Sequence, residues 1–310
     1  MTELPALGPV CPPPRPTVSA WMALARQSGL TPWECQSLML KALAQPQGAR
    51  AWLYTHDQDL LSPEQGQGFW EGVQRLRENV PLAYITQESV FYGLTLRVDD
   101  RALDPRSDTE TLVDWALEIL SRKSEVSAHS QQNAILTKDF NDRVIRSVDL
   151  GCGSGAIALA LKAHAPNTEV WAVDCSPGAL ALTGHNAQAL RLPLVLREGN
   201  WLEGMGSLQF DLIVSNPPYI SPGDPHLAAL RHEPLNALVS QDGGLADIRR
   251  IVSQALAHLK PGGWLLFEHG HDQFERVQAS LAQWGYTQIQ TRPDLAGIPR
   301  CTGAQSPNME

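Results

Sequence analysis

The segment that most narrows what this chain can fold into begins at Val144. An apolar strand pattern, Val144–Leu150, runs into Asp149-Leu150-Gly151-Cys152-Gly153-Ser154-Gly155 and then into a helical run, Ala156–Ala163. Glycines at such a turn let the backbone approach a ligand, and the helix N-terminus presents amide donors to it. The spacing is Gly-x-Gly-x-Gly, unlike a Gly-x-Gly-x-x-Gly dinucleotide turn, and no Lys follows as in a P-loop. The alternation then continues: Val170–Val173 ends in Asp174, Ser176-Pro177 starts a helix reaching Leu190, and Leu194–Leu196 leads to Gly199-Asn200-Trp201. Phe210–Ser215 reads as a fourth strand. A helix over Gly244–Leu259 is closed by Lys260-Pro261-Gly262-Gly263, and Trp264–Glu268 is a fifth strand. A helix over Gln273–Trp284, a strand near Thr287–Thr291 and a short strand near Cys301 complete the pattern. Strands alternating with helices predict an α/β fold, a mostly parallel sheet with crossover helices. Asp174 lies about 20 residues beyond the turn, where a carboxylate accepts from a ribose diol. Strand, turn, helix, strand and Asp together predict an adenosine-containing cofactor.

The second constraint is Ser215-Asn216-Pro217-Pro218-Tyr219-Ile220, directly after the buried-strand pattern Phe210–Val214. Two consecutive prolines end a central strand, so a stiff corner forms at its carboxyl end, where open α/β sheets bind ligands. An Asn carboxamide and a proline carbonyl both accept hydrogen bonds, and an aromatic face covers a flat group. Such a corner suits a planar NH2 group, either an amide or the exocyclic amine of a base. The same tetrapeptide also reads as an ordinary Pro-Pro turn.

Residues 1–17 carry Pro12-Pro13-Pro14 and Pro16 and are expected to be a disordered tail. Residues 18–85 read as a bundle of about four helices. Thr31-Pro32-Trp33-Glu34 and Ser62-Pro63-Glu64-Gln65 are helix-start signals, and Phe69, Val73 and Leu76 recur at helical spacing. This bundle holds no cluster of catalytic residue types, so it is read as a recognition module. Pro81–Ile85 leaves it, and residues 86–100 form a β-hairpin connector around Gly93. The remainder, 101–310, is the cofactor-binding domain. There Asp108, Thr109 and Glu110 suit a helix N-terminus, and 122–143 is a polar surface loop.

Net charge is −9, with 18% charged residues, which argues against broad nucleic-acid or membrane-surface binding. No apolar run approaches a membrane span. The proline-rich N-terminus has no signal-peptide core, and a cytoplasmic protein is expected. The five cysteines at 11, 35, 152, 175 and 301 form no CxxC pair, so free thiols are expected in a reducing compartment, with no zinc site. Cys152 and Cys175 read as small buried residues. His269-Gly270-His271 lacks a third ligand at metal spacing, so no metal is expected. Arg106, His226 and Glu233 stay open as substrate contacts.

At these residues the chain resembles the class I S-adenosylmethionine-dependent methyltransferases, and within them the HemK/PrmC family of protein-glutamine methyltransferases. The match runs from about Ala49 to Arg300. It includes Ala51-Trp52-Leu53, Pro81-Leu82-Ala83-Tyr84-Ile85, Pro105-Arg106 with Asp108-Thr109-Glu110, Asp149–Ala156, Asn216–Ile220, Glu268-His269-Gly270 and Asp294-Leu295-Ala296-Gly297. The chain departs from the family pattern at Thr86-Gln87, Asp104 and Ser107. The resemblance implies a Rossmann-like domain beside a small N-terminal helical bundle. It also implies S-adenosylmethionine as methyl donor and, as substrate, the glutamine of the Gly-Gly-Gln loop in peptide chain release factors. On this reading Asn216, Pro217 and Tyr219 are catalytic, and Pro218 joins them in binding substrate. The cofactor is expected at Asp149, Gly151, Cys152, Gly153, Ser154, Gly155, Asp174, Asn200, Trp201 and Asn216. The expected form is a monomer without direct nucleic-acid contact. The other readings are an adenine-specific DNA or RNA methyltransferase, a ribosomal-protein glutamine methyltransferase and a non-catalytic cofactor-binding interaction protein.

Overall fold

Helix-start chemistry organises the first part of the chain. In the computed structural model, which describes residues 15–133 and 144–308 (125–133 by backbone alone), the chain divides into two compact units, Met1–Glu88 and Ser89–Glu310. The first unit holds α1 (Val18–Gln27), α2 (Pro32–Ala42), α3 (Arg50–Thr55), α4 (Pro63–Arg77) and α5 (Leu82–Thr86). Both start signals are full capping boxes: Thr31 with Glu34 opens α2, and Ser62 with Gln65 opens α4. Each satisfies two amide donors that a helix start otherwise leaves unpaired. Trp21, Phe69 and Trp70 form an aromatic core with Leu38, Met39 and Val73. Gly66 makes this packing possible, since a Cβ there would stand 2.8 Å from the Trp21 ring. Leu82–Thr86 does not leave the bundle as expected; α5 packs on α2 and α4. The expected tail lies outside the described residues as far as residue 14. Thr17, at its end, caps α1 and bridges to Leu60.

The second unit opens with a hairpin, β1 (Glu88–Phe91) and β2 (Leu94–Arg97). Its turn residues Tyr92 and Gly93 both have positive φ, 48° and 74°, the backbone that matches the twist of paired strands. Helix α6 (Glu110–Asn133) then runs well into the stretch expected to be a loop from residue 122. Apolar periodicity marks only the face a helix buries. A polar continuation without Gly or Pro stays helical after it leaves the core. The rest of that expected loop, 134–143, lies outside the described residues.

The sheet contains β3 (Arg146–Leu150), β4 (Glu169–Asp174), β5 (Val195–Glu198), β6 (Phe210–Ser215), β7 (Leu259–Glu268), β8 (Thr287–Pro293) and β9 (Pro299–Gln305), in the order β5-β4-β3-β6-β7-β9-β8. All pairings from β5 to β7 are parallel, and β9 is antiparallel to both neighbours. Crossover connections carry α7 (Ala156–His164), α8 (Pro177–Leu190), the single turn α9 (Gln241–Gly244), α10 (Ala246–His258) and α11 (Phe274–Gln283). Lys260–Gly263, expected to close a helix, instead lies within β7, where the pairing register with β6 shifts. Every residue of β6 is buried, as a parallel strand covered on both faces requires. Strand order reverses between β3 and β6, which opens a crevice at their carboxyl ends. No described helix is long and apolar enough to cross a membrane.

Candidate active site at the strand reversal

One wall of the crevice is the turn after β3. Gly151, Gly153 and Gly155 have φ of 72°, 57° and 83°, a region that side chains disfavour. The amides of Gly151 and Cys152 both donate to the Val173 carbonyl, and Gly153 N–H donates to Asp174 Oδ2 at 2.9 Å. From behind, the Thr183 hydroxyl donates to the Gly153 carbonyl and Asn186 Nδ2 to the Ser154 carbonyl, each at 2.9 Å. Asp149 sits under this turn, fully buried. Its Oδ2 accepts from Ala158 N–H at 3.1 Å, while its Oδ1 has no hydrogen bond. Burial pushes its carboxyl up to about 7, against the pull of the Ala158 amide. Asp174 faces the crevice. Its Oδ1 accepts from Ser176 N–H, and each carboxylate oxygen keeps a lone pair for a hydroxyl. Trp201 (φ 58°) lays its ring 3.2 Å from where a Cβ on Gly151 would stand. Turned as its surroundings favour, Asn200 accepts through its carbonyl from the Arg250 guanidinium.

The other wall is the corner after β6. The Ser215 hydroxyl donates to the Leu150 carbonyl at 2.7 Å and ties the corner to the glycine turn. Ser215 pairs with Phe267, so Asn216 and Glu268 leave neighbouring strands at the same level. Asn216 Nδ2 donates to Thr109 Oγ1 at 3.2 Å, and no described donor reaches Asn216 Oδ1. The Tyr219 hydroxyl donates to Glu268 Oε1 at 3.2 Å. Burial, and then the Glu268 charge, push the Tyr219 phenol well above its ordinary range. Behind the corner, Gln273 Nε2 donates to the Tyr219 carbonyl at 2.9 Å. Gly244 lies so close that a Cβ there would stand 2.0 Å from the same oxygen.

These walls enclose a cleft of about 210 Å³. Of the expected site residues, Gly151, Cys152, Gly153, Ser154, Asp174, Asn200, Trp201, Asn216 and Pro218 line it; Asp149, Gly155, Pro217 and Tyr219 are not among its lining residues. The bare glycine backbone beside an accepting carboxylate fits a ribose-bearing ligand. Arg106 lines the cleft and pairs with the buried Glu233 at 2.5 Å. His226 is exposed and bonded to Asp224. His269 is buried between the Gly270 carbonyl and the Thr302 hydroxyl, which is a structural role. Cys152 is buried against Thr183, but Cys175, expected to be buried, is exposed at the cleft because it follows the last residue of β4. Among the described residues no group of His, Cys, Asp and Glu is placed to hold a metal.

Sequence reasoning placed Thr109 only at a helix start and assigned no part in the site to Thr109, Glu268, Gln273, Gly244, Thr183 or Asn186. For Glu268 a signal existed: an acid closes the apolar run Trp264–Phe267, as Asp149 and Asp174 close or end theirs.

A crevice at the strand reversal, a glycine turn and an acid ending the next strand define a class I S-adenosylmethionine-dependent methyltransferase. The hMettl16 catalytic domain, solved with a MAT2A 3′UTR hairpin, has the same fold, with a TM-score of 0.52 at 13% identity over 77% of this chain and 83% of that one. Residues 130–274 match the methyltransferase small domain and residues 25–86 the PrmC N-terminal domain. The release factor glutamine methyltransferase of Xylella fastidiosa is 40% identical over 277 residues, 88% of this chain and 93% of that one. The Escherichia coli protein of the same name is 37% identical over 82% of this chain and 85% of that one. The chain belongs to the release factor glutamine methyltransferase family.

Proposed function

We propose that this protein methylates the side-chain amide nitrogen of the glutamine in the Gly-Gly-Gln motif of peptide chain release factors, with S-adenosylmethionine as donor. The observation that carries this reading is Asn216 at the strand reversal, its NH2 turned to Thr109 and its Oδ1 left without a donor. S-adenosylmethionine supplies a methyl group on a sulfonium centre, which is already electrophilic. The chain's own task is the acceptor, because an amide nitrogen is a poor nucleophile with a delocalised lone pair.

Asn216 Oδ1 and the Pro217 carbonyl accept the two N–H bonds of the glutamine amide. They fix its nitrogen and stabilise the positive charge that develops there. Positioning and preorganised dipoles supply most of the rate. Pro218 shapes the corner, and Tyr219 packs on the amide face. Asp174 accepts from the ribose hydroxyls, and the turn from Gly151 to Gly155 holds the methionine portion, with Asp149 buried under the turn. Asn200 and Trp201 flank the adenine. The protein acts as a cytoplasmic monomer, and its N-terminal helical unit serves recognition.

The test is acceptor choice. The protein is incubated with labelled S-adenosylmethionine and, in turn, a release factor, ribosomal protein and nucleic acid. Label on the release factor alone is expected. Label on adenine or on a ribosomal protein would keep the fold and overturn the substrate.

A further inference from the structure

Residues 221–239 form a loop that leaves the proline corner and comes back to it. Ile220 N–H donates to the Leu238 carbonyl and Ser240 N–H to the Ile220 carbonyl, each at 2.9 Å, and Ile220 bridges to Val239. The foot of the loop is therefore fixed on the corner by backbone, and its body needs side chains to hold it. Glu233 is one of them. It is buried (6% exposed), and its Oε1 accepts from Arg106 Nη2 at 2.5 Å. The residues that follow it, Pro234, Asn236 and Ala237, line the cleft.

Arg106 belongs to the segment 101–109, which runs along the cleft from its cofactor side to its acceptor side. Arg101, at one end, lies 3.4 Å from where a Cβ on Gly178 would stand, at the start of α8. Thr109, at the other, accepts from Asn216, and its own N–H donates to the Arg106 carbonyl at 3.1 Å. Arg106 thus stands on the acceptor side, beside the corner. On its other flank Asp104 Oδ2 lies 3.8 Å from Nη1. One guanidinium serves two carboxylates, and each of these has an oxygen buried without a hydrogen bond, Asp104 Oδ1 and Glu233 Oε2. A buried carboxylate parted from its cation is strongly destabilising. Arg106 therefore holds Glu233 in place, and the loop with it.

We infer that the Arg106–Glu233 ion pair is a latch that holds loop 221–239 ready for the acceptor, which makes both of them positioning residues for acceptor binding. The identity of the acceptor rests on the function proposed above. In the latched protein the acceptor meets a preformed wall of Pro234, Asn236 and Ala237 beside Asn216. Without the latch only a fraction of the molecules has the loop in place, and apparent affinity for the acceptor falls by that fraction. A bound acceptor holds the loop itself, so methyl transfer at saturation is spared.

The experiment compares Arg106→Met, which keeps the stem and removes the charge, with Glu233→Gln, which keeps the shape, and with the Arg106→Met/Glu233→Gln double variant. Each is measured for amide hydrogen exchange of residues 221–239 by mass spectrometry and for S-adenosylhomocysteine affinity by calorimetry. Methyl transfer is followed over a range of release factor concentrations. Arg106→Met is expected to speed exchange in the loop about tenfold and to raise KM for the release factor about tenfold, with kcat and cofactor affinity within about threefold of wild type. Glu233→Gln should raise KM about threefold, because the half-exposed Arg106 keeps Asp104 and water as partners. The double variant should also stand at about threefold, an improvement on Arg106→Met, because Glu233 is then no longer a buried charge without its cation. Unchanged exchange of the loop in Arg106→Met, or a KM in the double variant equal to the product of the two single losses, would overturn the latch. The exchange measurement needs no acceptor and decides the latch by itself. Wild-type protein that transfers no methyl group to a release factor would instead overturn the proposed function.

Discussion

The glycine turn after β3 and the proline corner after β6 face each other across one cleft, but they are held in different ways. The turn is held by its own neighbourhood: the Val173 carbonyl, the Asp174 carboxylate, Thr183 and Asn186 all belong to the strand and helix that follow it. The corner is held by side chains from far along the chain. Thr109 is 107 positions from Asn216, Glu268 is 49 from Tyr219, and Gln273 is 54 from Tyr219. A binding surface made of backbone can be built by one contiguous unit. A surface that must present one atom of one amide needs supports converging from several elements. The two walls should therefore fail separately.

The sharpest break is expected at Gly244. Gly244→Ala places a methyl group 2.0 Å from the Tyr219 carbonyl, at a φ of 82° that Ala resists. Displacing the corner by about an ångström should cost roughly 10²-fold in methyl transfer. S-adenosylhomocysteine affinity, read by calorimetry, should stay near wild type. Joint loss of both would show that the walls are not independent.

The reciprocal break is Gly155→Ala. Its Cβ would meet Thr183 Cγ2 at 2.8 Å at a φ of 83°, disturbing the residue that anchors the Gly153 carbonyl. Cofactor affinity should fall about tenfold, from roughly 1–2 kcal/mol of backbone strain. Transfer at saturating cofactor should be close to wild type. A kcat loss like that of Gly244→Ala would erase the distinction between the walls.

The smallest effect sharpens the comparison from beneath the turn. Asp149 has its carboxyl raised to about 7 by burial, against about 3.9 when unfolded. A raised carboxyl contributes stability at low pH that is lost as pH rises from about 4 through 7. Asp149→Asn keeps an acceptor for the Ala158 amide and removes the titration. Melting curves should show the variant gaining a few degrees on wild type between pH 5 and pH 8. A constant offset across that range would mean the Asp149 charge finds compensation in the fold.

The same contrast explains what could be read in the sequence. The glycine turn, the acids Asp149 and Asp174, and the Asn-Pro-Pro-Tyr corner are contiguous signals with local physical causes, and the structure places them at the strand reversal. The capping boxes at Thr31 and Ser62 were legible for the same reason. The Thr109 hydroxyl was not, since a Thr beside Asp108 and Glu110 is fully accounted for by helix capping, and only the fold brings it to Asn216. Gly244 looked like one more loop glycine, because nothing nearby in sequence announces the Tyr219 carbonyl behind it. Helix α6 outran its expected end because polar residues carry no burial pattern once a helix leaves the core.

One measurement tests the central claim most directly. Wild type and Asn216→Ala are each saturated with S-adenosylmethionine and given a release factor, and the Gly-Gly-Gln peptide is sequenced by mass spectrometry. The account predicts one methyl group on the glutamine amide nitrogen with wild type and at least a 10²-fold slower appearance with Asn216→Ala. Methylation of that glutamine at wild-type rate by Asn216→Ala would contradict it.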